Sequence, residues 1–170
     1  MRQLTHAMPK AGSVLLLLVV FVATGFPQQE KLKPIIDKYV EVWNSGNVKD
    51  LESIIDPHFV RHANLQPKVE GVEGLSKVIS GFRSAYPDLK IAVNEQIFVK
   101  GNKCVGRWML TGTNTGSGEM PPTGKSVKIW GISIIHLADG KITEEWAGFD
   151  NQSFMEQLGF TMTPPSEKKN

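Results

Sequence analysis

Three observations predict an α+β fold, with helices gathered on one face of a bent antiparallel sheet. Apolar residues recur at helical spacing through residues 28–43, as Ile35, Ile36, Tyr39, Val40 and Trp43. Between residues 89 and 149 the pattern changes to four long strand-like runs. Asp139-Gly140, between the last two runs, is a strong hairpin signal. A sheet bent around helices forms a cone, and the open end of a cone is a natural pocket.

The elements follow in order. Residues 1–25 read as a secretory signal peptide, with basic Arg2, His6 and Lys10, an apolar run over 14–23, and small residues at Ala23-Thr24-Gly25. The run is shorter than the roughly 20 residues that span a bilayer, so export is the expectation and an uncleaved N-terminal anchor the alternative. The folded domain is expected over residues 26–160, followed by a flexible polar tail over 161–170. Within the domain, a helix over 28–43 is ended by Asn44-Ser-Gly46-Asn47. A second helix covers about 48–55 and is broken by Asp56-Pro57. A short strand over 58–62 and a loop over 63–71 precede a third helix at about 75–85. Strands are expected at 89–99, 103–113, 126–137 and 142–149, with a Gly/Pro/Thr-rich loop over 114–124. A short helix over 153–158 ends at Gly159.

Composition narrows the function classes. The chain has 170 residues, 19 Lys and Arg, and 17 Asp and Glu. Its formal net charge is +2, and cleavage after residue 25 removes Arg2 and Lys10 and brings it to zero. No basic stripe argues for nucleic acid, and no membrane association is expected once the signal is cleaved. The single cysteine, Cys104, cannot form an intramolecular disulfide and reads as a small buried hydrophobe.

Asp150 is the first candidate for chemistry. Trp146 and Asp150 are both even-numbered, so an unbroken strand points both to one face. A carboxylate beside a Trp in an apolar pocket has its pKa raised and can act as general acid or base. Asp150 also lies between a strand and a helix and could be an N-cap, although Ser153 and Glu156 offer a capping box of their own. His62 is the second candidate, either orienting Asp150 or exchanging a proton with substrate; otherwise it is a histidine at the pocket rim. Trp108, Trp130 and Trp146 lie on three successive strands and could form a wall for a flat apolar ligand, or each could be plain core. Arg107 faces away from Trp108, and Glu145 faces away from Glu144, Trp146 and Asp150. A His58/His62 metal pair lacks a third ligand. The glycines of the 114–124 loop form no phosphate-binding motif, since no helix follows; the loop is a lid or a plain connection.

Several segments, in order, resemble the SnoaL-like polyketide cyclase (ester cyclase) family of the NTF2-like cone fold. They are Tyr39-Val-Glu-Val-Trp-Asn-Ser-Gly-Asn, Asp56-Pro-His-Phe-Val-Arg-His62, Phe82-Arg-Ser-Ala-Tyr-Pro-Asp-Leu89, Arg107-Trp-Met-Leu-Thr-Gly-Thr-Asn-Thr-Gly116 and Asp139-Gly-Lys-Ile-Thr-Glu-Glu-Trp-Ala-Gly-Phe-Asp150. The resemblance implies a small-molecule pocket in the cone, an acid/base role for the acid at position 150, and no metal or organic cofactor. Three readings follow by analogy. The first is an exported enzyme acting on a small hydrophobic carbonyl compound by cyclisation, isomerisation or hydration/dehydration. The second is a carrier of such a compound. The third is a homodimer module, since cones of this kind often pair through the outer sheet face.

Overall fold

The computed structural model describes residues 27–64, 67–99 and 102–161. The predicted signal over 1–25, and all of the predicted tail except Thr161, lie outside the described residues.

Helix α1 (Pro27–Ser45) carries the predicted apolar stripe, and Ile36, Tyr39, Val42 and Trp43 are buried along it. Pro34 lies inside this helix. The second predicted helix is shorter than expected: a 3-10 turn at Val48–Asp50 runs into α2 (Leu51–Ile54). Strand β1 (Ile55–Ala63) already begins at Ile55, so Asp56-Pro57 does not interrupt the chain there. The pairing of β1 shifts between Ile55 and Val60, an irregular stretch that tolerates the missing N–H of Pro57. A two-residue strand β2 (Val69–Glu70) interrupts the predicted loop, and α3 (Gly71–Ala85) starts a turn earlier than predicted.

The long strands fall where alternation places them: β3 (Lys90–Val99), β4 (Lys103–Thr113), β5 (Ser126–Ala138) and β6 (Lys141–Phe149). Asp139 and Gly140 both have positive φ, 49° and 77°, as a tight hairpin requires. Helix α4 (Asn151–Leu158) closes the domain. The six strands form one curved, unclosed sheet in the order β2-β1-β6-β5-β4-β3, antiparallel except where β1 runs parallel to β6. The predicted α+β cone is the observed fold.

One face of the sheet is filled by α1, α3 and α4 through two apolar clusters, one around Phe59, Leu75 and Ile79, the other around Tyr86, Leu110 and Phe154. α1 is fixed to the edge strand β3 by a single amide. Asn44 Nδ2 donates to the Ile91 carbonyl at 2.9 Å, and Ile91 N–H donates to Asn44 Oδ1 at 2.6 Å. The side chain thus satisfies an edge residue as a neighbouring strand would.

The 114–124 loop is docked rather than poised over the cone. Gly116 N–H donates to the Ala85 carbonyl, and Ser84 Oγ donates to the Ser117 carbonyl. Asn114, 1% exposed, accepts from Thr123 N–H at 2.7 Å and exchanges backbone bonds with Lys125 and Gly124. Replacing Asn114 by Ala leaves the partly buried Thr123 N–H without its acceptor. We expect Asn114→Ala to lose about 1–3 kcal/mol of stability in urea unfolding; a loss below about 0.5 kcal/mol, the scatter of neutral surface changes, would contradict this role.

Candidate functional site

The concave face of the sheet and helices α1, α3 and α4 enclose a pocket of about 830 Å³, its open mouth included. Its walls are mainly apolar and aromatic, among them Ile36, Trp43, Phe82, Trp108, Phe149 and Phe154. Among the described residues, Arg61 and Glu145 are the only charged ones lining it.

These two form a buried pair. Arg61 Nε donates to Glu145 Oε2 at 2.9 Å, and both residues are nearly closed to solvent. Tyr39 from α1 donates its hydroxyl to the same oxygen at 2.7 Å. Ser133 from β5 donates to Glu145 Oε1 at 2.8 Å and accepts from Trp108 Nε1 at 3.0 Å. A carboxylate has about four acceptor positions. Three are filled, and the free one is on Oε1. Arg61 commits one of its five donors to Glu145, and its guanidinium also lies 5.7 Å from the centre of the Trp43 ring.

Burial works against the charge on Arg61, but the adjacent Glu145 carboxylate and Tyr39 outweigh it and hold the guanidinium above its ordinary value. Tyr39 is pushed well above the ordinary tyrosine value, first by burial and then by the negative charge of Glu145. It therefore stays a proton donor across the neutral range. Burial likewise raises the Cys104 thiol, on the pocket wall, to about 11, which leaves it protonated and inert.

Trp108 lies flat because residue 131 has no side chain. A Cβ on Gly131 would fall 2.3 Å from the Trp108 ring. The indole thus crosses β5 at Gly131, reaches Ser133, and meets Phe149 at 6.4 Å between ring centres.

Of the predicted tryptophan wall, only Trp108 lines the pocket. The structure corrects Trp130 and Trp146, which are 52% and 49% exposed on the outer face. For Trp146 the cause is a bulge. His136 pairs with Glu144 but Leu137 pairs with Ile142, so Thr143 is an extra residue that reverses the alternation of β6. Ile142 and Glu145 both point inward, Glu144 and Trp146 outward. The expected roles of Glu144 and Glu145 are thereby exchanged. Trp130 shares the parity of exposed Ile132 and Ile134, against buried Val127, Ile129 and Ile135.

Asp150 is exposed and is the N-cap of α4, its Oδ1 accepting from Ser153 N–H at 2.9 Å. It is not among the pocket-lining residues and lacks the apolar surroundings on which its expected role rested. His62 is on the outer face of β1. It stacks on Trp146 at 3.8 Å between ring centres, and its Nε2 lies 3.3 Å from Glu144 Oε1. The structure does not bring His62 and Asp150 together in the pocket. Glu144 also meets His136 Nδ1 at 2.8 Å. Sequence reasoning missed Tyr39, Arg61, Ser133 and Glu145 as site residues. The available signal was a charge at Arg61 in register with apolar Phe59 and Ala63 on β1.

The outer face carries one continuous row across five strands: Ile97, Val105, Ile134, Trp146 and His62 are successive cross-strand partners. Among the described residues no group of three or more His, Cys, Asp or Glu is arranged to hold a metal ion, and no helix is long and apolar enough to cross a membrane.

A protein from Jannaschia sp. CCS1 assigned as a SnoaL-like polyketide cyclase superposes with a TM-score of 0.71 at 21% identity, over 82% of this chain and 96% of that one. One from Bacillus cereus ATCC 10987 assigned as a polyketide cyclase gives 0.65 at 26% identity, over 76% and 80%. IdmH of Streptomyces antibioticus gives 0.63 at 26% identity, over 75% and 98%. No curated protein sequence matches the chain. The family model of the SnoaL-like polyketide cyclases matches residues 33–158, from α1 to the end of α4, and the chain therefore belongs to that family.

Proposed function

We propose that the chain binds a small hydrophobic carbonyl compound in its cone and carries out proton-transfer chemistry on it without a cofactor: cyclisation, isomerisation or hydration/dehydration. The observation that supports this reading is a buried Arg61–Glu145 pair in an otherwise apolar cavity. A carbonyl oxygen seated against the unused N–H donors of Arg61 meets positive charge where negative charge develops when an adjacent C–H is deprotonated. The free acceptor position on Glu145 Oε1 is the proton acceptor the cone itself offers. Asp150, with His62, is the competing acid/base assignment suggested by the family resemblance.

A carrier is the second reading, favoured by one observation. Glu145 is already held by three donors, and Asp150 is engaged as a cap. Mass spectrometry of small molecules that co-purify with the protein separates the readings. A compound retained intact only by Glu145→Gln makes Glu145 the proton-transfer group. One retained intact only by Asp150→Asn gives that role to Asp150. The same compound in wild type and both variants makes the protein a carrier, and no compound in any of them counts against the pocket. Asp150→Asn should leave stability unchanged, because Asn caps as well as Asp, whereas Asp150→Ala should lose about 1 kcal/mol.

We further propose that the protein is exported and pairs with a second copy through the outer row of β3 to β6. The apolar leader supports the first, and exposed Ile134, Trp130 and Trp146 support the second. N-terminal sequencing of protein from the exported fraction should begin near residue 26; an intact leader in the membrane fraction would indicate an anchor. Light scattering should give a dimer for wild type and a monomer for Ile134→Glu. An unchanged mass for the variant would contradict pairing through this row.

A further inference from the structure

The charge content of the cone bears on which compounds it accepts. Arg61 and Glu145 lie 2.9 Å apart and cancel, and among the described residues no other charged one lines the pocket. The rest of the polar wall consists of neutral groups: the Tyr39 and Ser133 hydroxyls, the Trp108 N–H and the Gln96 amide. The cavity is therefore electrically balanced before any ligand arrives. A ligand carboxylate that reached the unused donors of Arg61 would sit beside the Glu145 carboxylate. It would add a second negative charge to a site holding one positive charge, within apolar walls. A ketone, aldehyde or ester oxygen reaches the same donors and adds no charge.

We propose that the Arg61–Glu145 pair makes the cone selective for uncharged carbonyl compounds, and that a carboxylic acid enters only in its protonated form. This rests on the proposed binding of a carbonyl compound in the cone. In it Glu145 is a specificity-determining residue: it cancels the charge of Arg61, which would otherwise recruit anions.

Two near-isosteric probes test the inference on the full-length protein. 2-Acetylnaphthalene is a neutral ketone, and 2-naphthoate is a carboxylate at neutral pH. In isothermal titrations between pH 6 and 8, the affinity of wild type for naphthoate should fall about tenfold per pH unit, because only the protonated acid binds. Its affinity for acetylnaphthalene should stay constant and so reports any change in the protein itself. The Glu145→Gln variant frees the charge of Arg61. Its preference should move towards naphthoate by about tenfold or more relative to wild type, and its naphthoate affinity should lose the steep pH dependence.

Naphthoate affinity that is flat with pH in wild type, with acetylnaphthalene bound, would overturn charge selectivity and leave the cone reading intact. The pH series needs no variant, so it decides the matter even where Glu145→Gln does not fold. Failure of both probes to bind at any pH would overturn the cone reading and the inference with it.

Discussion

The carboxylate of Glu145 is the interaction on which this structure turns. It sits on β6 and takes hydrogen bonds from Tyr39 of α1, Arg61 of β1 and Ser133 of β5. One side chain thus joins the helix that fills the cone to three strands of the sheet that forms it. Burying a charge is unfavourable unless it is paired and hydrogen-bonded. The arrangement meets that condition for Glu145, and Arg61 gains a ring face from Trp43 as well. Removing one partner from such a pair typically costs about 3–5 kcal/mol, because the other charge is left buried and uncompensated. The group that shapes the pocket chemically is therefore also one that the fold needs.

The extra residue Thr143 makes this possible. Without the bulge, the inward position of Ile142 would carry Glu144 and Trp146 into the cone and Glu145 out to solvent. With it, the cone receives Glu145, and the outer face receives a tryptophan that His62 covers by stacking. One inserted residue therefore sets both the polar wall inside and the apolar row outside. Gly131 has a comparable effect on β5, where the lack of a side chain lets Trp108 lie flat and reach Ser133.

The sequence makes the scaffold legible and hides part of the site. Helical spacing in α1, the long strands and the Asp139-Gly140 turn are local properties, so the α+β class and the long strands follow from pattern alone. Strand starts near Pro57 and helix starts near Gly71 do not, because tertiary pairing overrides local turn signals there. The orientation of the β6 side chains is hidden for another reason. A bulge changes parity without any distinctive residue, and Thr143 is as natural in a regular strand as in an irregular one. The assignment of Trp146 to the pocket rested on its shared parity with Asp150, and neither residue is among those lining the pocket. Trp108 lines the pocket because β4 alternates without a break from Cys104 to Leu110. Arg61 and Tyr39 looked ordinary because each gains its meaning from a carboxylate more than 80 positions away.

On the proposed function, ligands meet the inner wall of the cone and not the outer tryptophans. The indole N–H signals of the four tryptophans in a two-dimensional proton–nitrogen spectrum test this directly during titration with 2-acetylnaphthalene. Trp108 and Trp43, which line the pocket, should shift as the probe is added, while Trp130 and Trp146 stay in place. Shifts confined to Trp130 or Trp146 would place binding on the outer face and overturn the cone as the binding site.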